Sequence, residues 1–259
     1  MKRILVGLGL ISNILLATDY GFIVAIGAYQ SKNIINLHKI EQDISTYESI
    51  LKKWNLNKNS IYILKDKNAT KKNILGYLNY IARNININDR FFMFYSGHGV
   101  SLADEEYGSK LQQAGLTQEM KNSGAILPYD FNGNNIRKTI IMGKELRAYL
   151  TTIDKKVSKS LIVFDACFSK NSIKDIRGGR SVNRTPNILT KNDNYPYKNI
   201  VYIASSIIES KPGKFSPILN ACLGRPATLV QIKQCINREI GNSMQIPAIL
   251  SNNREDILF

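Results

Sequence analysis

Continuously apolar segments alternate along the chain with amphipathic ones. The apolar segments have the length of buried strands and lie at residues 22–27, 61–64, 90–95, 160–165 and 199–204. Apolar residues recur at helical spacing between and after them, at 38–54, 70–81, 143–152, 215–223 and 228–240. Buried strands separated by helices predict an α/β domain with a mainly parallel central sheet and helices on both faces.

Smaller signals refine this pattern. Thr70 is predicted to cap the helix that follows it, because its hydroxyl can accept a hydrogen bond from a free backbone N–H of the first turn. Residues 247–250 are predicted to form the last strand of the sheet. Two stretches, 97–125 and 168–198, lack periodicity and are predicted to be long loops, which in a compact domain are usually functional or mobile. Without a repeat or a linker, one domain is favoured.

The amino terminus has the pattern of a secretory signal peptide. Lys2 and Arg3 precede a mainly apolar run over residues 4–17, which is shorter than the ~20 residues of a spanning helix. We predict cleavage after Ala17, a mature domain at 18–259, and export to the periplasm or medium. An uncleaved anchor is the alternative, since Leu15 is large for its position before the cleavage site. No later run reaches membrane length, so no span is expected after signal removal.

Composition narrows the class of protein. The chain has 259 residues, of which 44% are hydrophobic and 21% charged, and this excludes disordered and collagen-like proteins. Its net charge of +15 makes a nucleic-acid or anionic-surface binder an alternative function. However, the charges are spread along the chain, and no nucleic-acid-binding signature accompanies them, so no nucleic acid partner is expected. With two histidines, and cysteines that lack metal-finger spacing, no metal site is predicted.

A histidine and a cysteine each follow a predicted interior strand. His98 comes after strand 90–95 and Cys167 after strand 160–165. The carboxyl ends of parallel strands meet at one edge of a sheet, where sites form. An imidazole there can take the proton of a thiol and later protonate a leaving amine, while the backbone amides of Gly99 and Cys167 form an oxyanion hole. A buried structural cysteine and a hydrogen-bonded structural histidine are the alternatives.

Two motifs carry a family resemblance. Ser-Gly-His-Gly at 96–99 and Asp-Ala-Cys-Phe-Ser at 165–169 together resemble the paired signature of caspase-like cysteine peptidases, especially metacaspases and their bacterial relatives. Other segments resemble the family in its own order, at 25–29, 42–44, 125–130, 204–206 and 213–216. The resemblance implies a three-layer caspase-like sandwich and a cysteine endopeptidase in which His98 and Cys167 form the catalytic dyad.

The resemblance also implies a substrate class. Asp43, Asp165 and Ser96 match positions of the acidic pocket with which metacaspases bind the residue before the scissile bond. Two carboxylates facing one slot favour arginine or lysine through charge-assisted hydrogen bonds. Protein or peptide substrates with basic residues are therefore expected. For Asp43, a solvated carboxylate at a helix start is the alternative.

The chain departs from the family after the cysteine. Lys170 stands where the family usually has glycine, which keeps open an inactive caspase-fold interaction module. Lysines and arginines are frequent in the 168–198 loop, so self-processing there is expected if the pocket selects them; a mobile solvated loop is the alternative.

Two further questions stay open at the level of sequence. Some metacaspases need calcium, and Asp104, Glu105, Glu106 and Asp130 lie in a suitable region without recognisable ligand spacing. No cofactor is therefore predicted, and calcium activation is left open. Cys222 and Cys235 lie on neighbouring helical patterns, and in an exported protein they either pair or pack separately in the core.

Overall fold

The computed structural model describes residues 18–102, 107–120, 124–166, 195–205, 213–224, 226–241, 247–252 and 257–258. Cys167, most of the 168–198 loop and residues 1–17 lie outside the described residues, so the predicted signal peptide stays a prediction. Among the described residues, no helix is both long and apolar enough to cross a bilayer.

A six-stranded sheet forms the centre of the molecule. Its strands are β1 Tyr20–Ala25, β2 Ile61–Lys65, β3 Arg90–Ser96, β7 Lys159–Asp165, β8 Ile200–Ala204 and β10 Ala248–Leu250. They lie in the order β10, β8, β7, β3, β1, β2, and all neighbours pair in parallel except β10, which pairs antiparallel with β8. The five predicted strands and the terminal segment at 247–250 are confirmed. Their observed ends differ from the predicted ones by no more than two residues.

Within the described residues, five longer helices flank the sheet, and all were predicted. They are α1 Ile40–Lys53, α2 Lys71–Asn84, α6 Gly143–Asp154, α7 Phe215–Cys222 and α8 Leu229–Ile240. Thr70 caps α2 as expected, because its hydroxyl accepts a hydrogen bond of 3.2 Å from the backbone N–H of Asn73. Short 3-10 turns occupy Lys58–Ser60, Asp66–Asn68 and Gly133–Asn135 in the described part of the chain.

Side chains of the central strands alternate between two cores. Phe91 and Met93 of β3 pack with α2 and α6, whereas Phe92 and Phe94 pack with α1, α7 and α8. These four side chains are fully buried, because both faces of the sheet are covered by helices. The predicted mainly parallel sheet with helices on both faces is therefore confirmed.

The stretch 97–125 is not the plain loop that its sequence predicts. It contains β4 Gly99–Val100, α3 Gly108–Gln113, α4 Thr117–Met120 and β5 Ala125–Ile126. After it come α5 Ile136–Thr139 and β6 Ile141–Met142, and β4, β5 and β6 form a small antiparallel sheet. Elements of two to six residues are too short to show periodicity, which explains the wrong prediction.

A disulfide resolves the open question about two cysteines. Cys222, at the end of α7, is bonded to Cys235 in α8, with a Cα–Cα distance of 5.7 Å. Between these two helices in the chain lies β9 Ala227–Thr228, which pairs antiparallel with β11 Ile257–Leu258. Since the chain has three cysteines, Cys167 is the one that this bond leaves.

Candidate functional site

The carboxyl ends of β3 and β7 bring the candidate residues to one edge of the sheet. Ser96, the last residue of β3, is the register partner of Asp165, the last residue of β7. The backbone N–H of Gly97 also donates to the Asp165 carbonyl at 3.4 Å. The described chain stops at Ala166, so Cys167 itself lies outside the described residues.

The imidazole of His98 is anchored by a backbone carbonyl. Its Nε2 lies 2.7 Å from the carbonyl oxygen of Ile35, in the segment between β1 and α1. Since a carbonyl oxygen only accepts, Nε2 must carry the proton in this contact. In the neutral ring, Nδ1 is then the basic nitrogen, so His98 is prepared to accept a proton at Nδ1.

Two tyrosines hold the backbone of His98. Its N–H donates to the Tyr29 hydroxyl oxygen at 2.7 Å, and its carbonyl accepts a hydrogen bond of 2.7 Å from the Tyr95 hydroxyl. The Leu127 N–H donates to the same carbonyl at 3.0 Å. Burial raises the pKa of Tyr29 and the pKa of Tyr95 above the ordinary range, so both hydroxyls keep their protons.

Gly99 presents its amide away from the small sheet. It lies opposite Ile126 in the β4–β5 pair, and the bond from Leu127 N–H to the His98 carbonyl makes this a non-hydrogen-bonded pair. The N–H of Gly99 therefore points away from β5. The N–H is thus not used in the pairing of β4 with β5, and its predicted role in an oxyanion hole stays a prediction.

Asp43 forms a buried hydrogen-bonding centre next to Ser96. Its carboxylate accepts bonds from the hydroxyls of Ser96 at 2.8 Å and Ser216 at 2.5 Å, one on each oxygen. The Asp43 side chain is fully buried, and burial raises the pKa of its carboxyl, although the bonds from Ser216, Ser96 and the Gly213 backbone act in the opposite direction. The solvated carboxylate that the sequence left as an alternative for Asp43 is therefore wrong.

Asp165 lies next to Ser96 on the neighbouring strand β7, and the charges of both acids act on Tyr47 of α1. Asp165 is 4% exposed. Burial raises the pKa of the Tyr47 hydroxyl, and the negative charges of Asp165 and Asp43 raise it further. The three predicted pocket residues Asp43, Ser96 and Asp165 thus meet in one buried region with two acids.

Of the four acidic residues considered for calcium, Asp130 lies within the described residues. Asp104, Glu105 and Glu106 lie outside the described residues. The Asp130 carboxylate accepts a hydrogen bond of 2.8 Å from the Lys71 N–H at the start of α2, which makes it a helix cap. Among the described residues, no group of three or more His, Cys, Asp or Glu side chains is placed to hold a metal ion.

Several residues of the site carry no sequence signal for their role. The contribution of Ile35 comes from a backbone carbonyl, and those of Tyr29, Tyr95 and Ser216 depend on partners distant in sequence or on the local turn. Tyr29 and Ser216 lie within segments that resemble the family. That resemblance marked the segments but not these contacts.

Comparison with known proteins gives a family and a fold. A family model described as metacaspase, peptidase C14 domain, matches residues 23–176. No curated protein matches the chain. The chain is similar to the crystal structure of a structural-genomics target protein from Geobacter sulfurreducens, with 17% sequence identity and a TM-score of 0.61 over 90% of this chain and 92% of that one. At that identity the likeness concerns the fold alone, and it supports the caspase-like α/β architecture.

Proposed function

The chain belongs to the metacaspase peptidase C14 family, and from that premise we propose that it is a cysteine endopeptidase with Cys167 as nucleophile and His98 as general base and acid. The register of the central sheet carries this proposal. Ser96 is paired with Asp165, and in the sequence His98 and Cys167 each come two residues after the end of one of these adjacent parallel strands. This connectivity supports a dyad at that edge of the sheet.

In the first half of the reaction, Nδ1 of His98 takes the proton of the Cys167 thiol. The hydrogen bond from Nε2 to the Ile35 carbonyl supports this role, because it leaves Nδ1 as the proton acceptor. The thiolate attacks the scissile carbonyl carbon, and the N–H groups of Gly99 and Cys167 bind the oxyanion. The imidazolium then protonates the leaving amine as the C–N bond breaks, which yields a thioester.

In the second half, water replaces the amine. His98, neutral again, takes a proton from a water molecule, whose oxygen attacks the thioester carbonyl. The oxyanion collapses, the C–S bond breaks, and Cys167 recovers its proton from the imidazolium. The product is a new carboxylic acid, which releases its proton to solvent at neutral pH, and the enzyme returns to its starting state.

We further propose cleavage after arginine or lysine. Asp43 and Asp165 flank Ser96, and both acids are shielded from water. In such a region a guanidinium or ammonium group interacts strongly with carboxylates, and an aspartate side chain would be repelled. Self-processing within residues 168–198 follows if basic residues of that loop reach the same pocket.

Hydrolysis of fluorogenic peptides that end in Arg, Lys or Asp tests this function, with and without calcium. We expect Arg and Lys peptides to be cleaved and Cys167→Ala to be inactive towards them. Cleavage after Asp would contradict the pocket assignment while keeping the enzyme. The absence of hydrolysis in folded protein would instead favour an inactive caspase-fold module. A clip in the loop that persists in Cys167→Ala would contradict self-processing.

A further inference from the structure

We infer that Tyr29 and Tyr95 are positioning residues that hold the peptide backbone of His98 from both sides, an inference that rests on the proposed dyad. The two hydroxyls bind the two polar backbone atoms of His98, its N–H and its carbonyl oxygen. The Tyr29 oxygen accepts from the His98 N–H, and the Tyr95 hydroxyl donates to the His98 carbonyl, both at 2.7 Å. In the described part of the chain, each phenol binds a backbone atom of His98 rather than a ring nitrogen, so both act through His98.

The glycine before His98 shows how closely these hydroxyls enclose the chain. A Cβ placed on Gly97 would lie 2.7 Å from the Tyr95 hydroxyl oxygen and 3.1 Å from that of Tyr29. Both oxygens therefore pack closely against the peptide that joins Gly97 to His98. No side chain fits there without displacing a buried aromatic ring, and this explains why glycine is needed.

Tyr29 is itself fixed on both sides along the chain. The Asp66 carboxylate accepts hydrogen bonds from the N–H groups of Gly27 and Ala28 at 2.8 and 2.9 Å. On the other side, the Gln30 N–H donates to the Tyr129 carbonyl at 3.0 Å. The Tyr29 phenol therefore contacts His98 from a segment held by hydrogen bonds on both sides, and such support is what a preorganised site requires.

The segment that carries Tyr29 contacts the imidazole as well as the backbone. The Tyr29 ring lies 5.2 Å from the His98 ring, centroid to centroid, and the Ile35 carbonyl further along receives the Nε2 proton. Fixing the backbone and the ring edge together leaves His98 one orientation. In the proposed dyad, this orientation offers Nδ1 to the thiol of Cys167, so we expect it to affect the rate of proton transfer rather than substrate affinity.

Tyr29→Phe and Tyr95→Phe test the inference, because each removes one hydroxyl and keeps its ring. Tyr202→Phe is the matched control, since Tyr202 lies in the same core and its hydroxyl has no hydrogen-bond partner within the described part of the chain. Thermal unfolding establishes that each variant is folded. We expect each of the first two to lower kcat for an Arg peptide by about tenfold to a hundredfold, with KM within about twofold of wild type.

A second measurement needs no substrate. The rate at which iodoacetamide alkylates Cys167 at neutral pH reports His98-assisted thiolate formation, and the disulfide keeps the other two cysteines out of the reaction. We expect this rate to fall about tenfold in Tyr29→Phe and in Tyr95→Phe and to stay unchanged in Tyr202→Phe.

The alkylation result decides the inference whether or not peptides are cleaved. A reduced rate in both variants supports it even if wild type hydrolyses no Arg or Lys peptide, in which case the proposed specificity fails and the positioning role stands. Wild-type alkylation rates in both folded variants would overturn the positioning role, even if wild type proves to be an active peptidase.

Discussion

The hydroxyl of Ser216, in the first turn of α7, donates a hydrogen bond of 2.5 Å to the carboxylate of Asp43, in the first turn of α1, across 173 residues of sequence. Ser96 at the end of β3 donates to the other oxygen of the same carboxylate. One buried acid thus joins two helices to the strand that leads to His98. Fold stability and the geometry of the proposed pocket therefore depend on the same contacts.

Ser216→Ala should destabilise the protein and weaken the cleavage of basic substrates. Removing a buried hydroxyl from a charged partner leaves that carboxylate poorly satisfied, which costs about 1–3 kcal/mol in the free energy of unfolding. Urea denaturation measures this cost. Ser160→Ala is the matched control: Ser160 is fully buried on β7, and its hydroxyl has no hydrogen-bond partner among the described residues. Equal losses in the two variants would contradict the role of Ser216.

The buried carboxyl of Asp43 predicts a pH effect on stability. Burial raises the pKa of this group above its usual value of 3.8, so the folded protein holds a proton there at pH values where the unfolded chain has lost it. The resulting stabilisation is complete below the unfolded pKa and disappears as the pH rises through the folded pKa. Asp43→Asn removes this dependence.

Wild type should accordingly gain stability relative to Asp43→Asn as the pH is lowered from neutral towards 4. Urea unfolding of both proteins over a pH series measures the difference, in which the other titrating groups largely cancel. A difference that is flat, or that grows in the opposite direction, would argue against the raised pKa. Cleavage after Arg and Lys should meanwhile fall in Asp43→Asn at pH values above the folded pKa of Asp43, because there the variant lacks one charge of the proposed pocket.

The disulfide should stabilise the fold by linking α7 to α8. Cys222 and Cys235 are separated by 13 residues, and closing a loop of this size contributes about 3 kcal/mol in the chain-entropy account. Replacing both cysteines by alanine should lower the melting temperature in non-reducing buffer. A reductant should lower the melting temperature of wild type but not that of the double variant. If reductant leaves the melting temperature of wild type unchanged, the disulfide contributes nothing to the stability of the fold.

Patterns within a few residues predicted most of the fold, and contacts between distant segments account for what they missed. The run at 90–95 and the hydroxyl of Thr70 were enough to locate β3 and the start of α2. In contrast, β4 and β5 have two residues each, and they form strands because they pair with each other. In the site, side-chain chemistry pointed to His98, whereas the Ile35 carbonyl that orients it is a backbone atom present at every residue.

Gly97→Ala should impair both folding and catalysis. The added methyl would lie 2.7 Å from the hydroxyl oxygen of Tyr95 and 2.9 Å from its Cζ, and this ring is fully buried and cannot swing away. Overpacking of this kind costs about 1–3 kcal/mol in unfolding free energy. Displacing Tyr95 also releases the His98 carbonyl, so kcat should fall by more than the loss of folded protein explains.

Gly76→Ala provides the matched control for that substitution. Gly76 lies on the exposed face of α2, where a Cβ would meet nothing within 4 Å. The same chemical change there should stabilise the helix by about 0.5–1 kcal/mol and leave hydrolysis unchanged. Thermal melts and initial rates on an Arg peptide compare the two variants. If Gly97→Ala melts and turns over like wild type, the peptide before His98 is not enclosed as the structure describes.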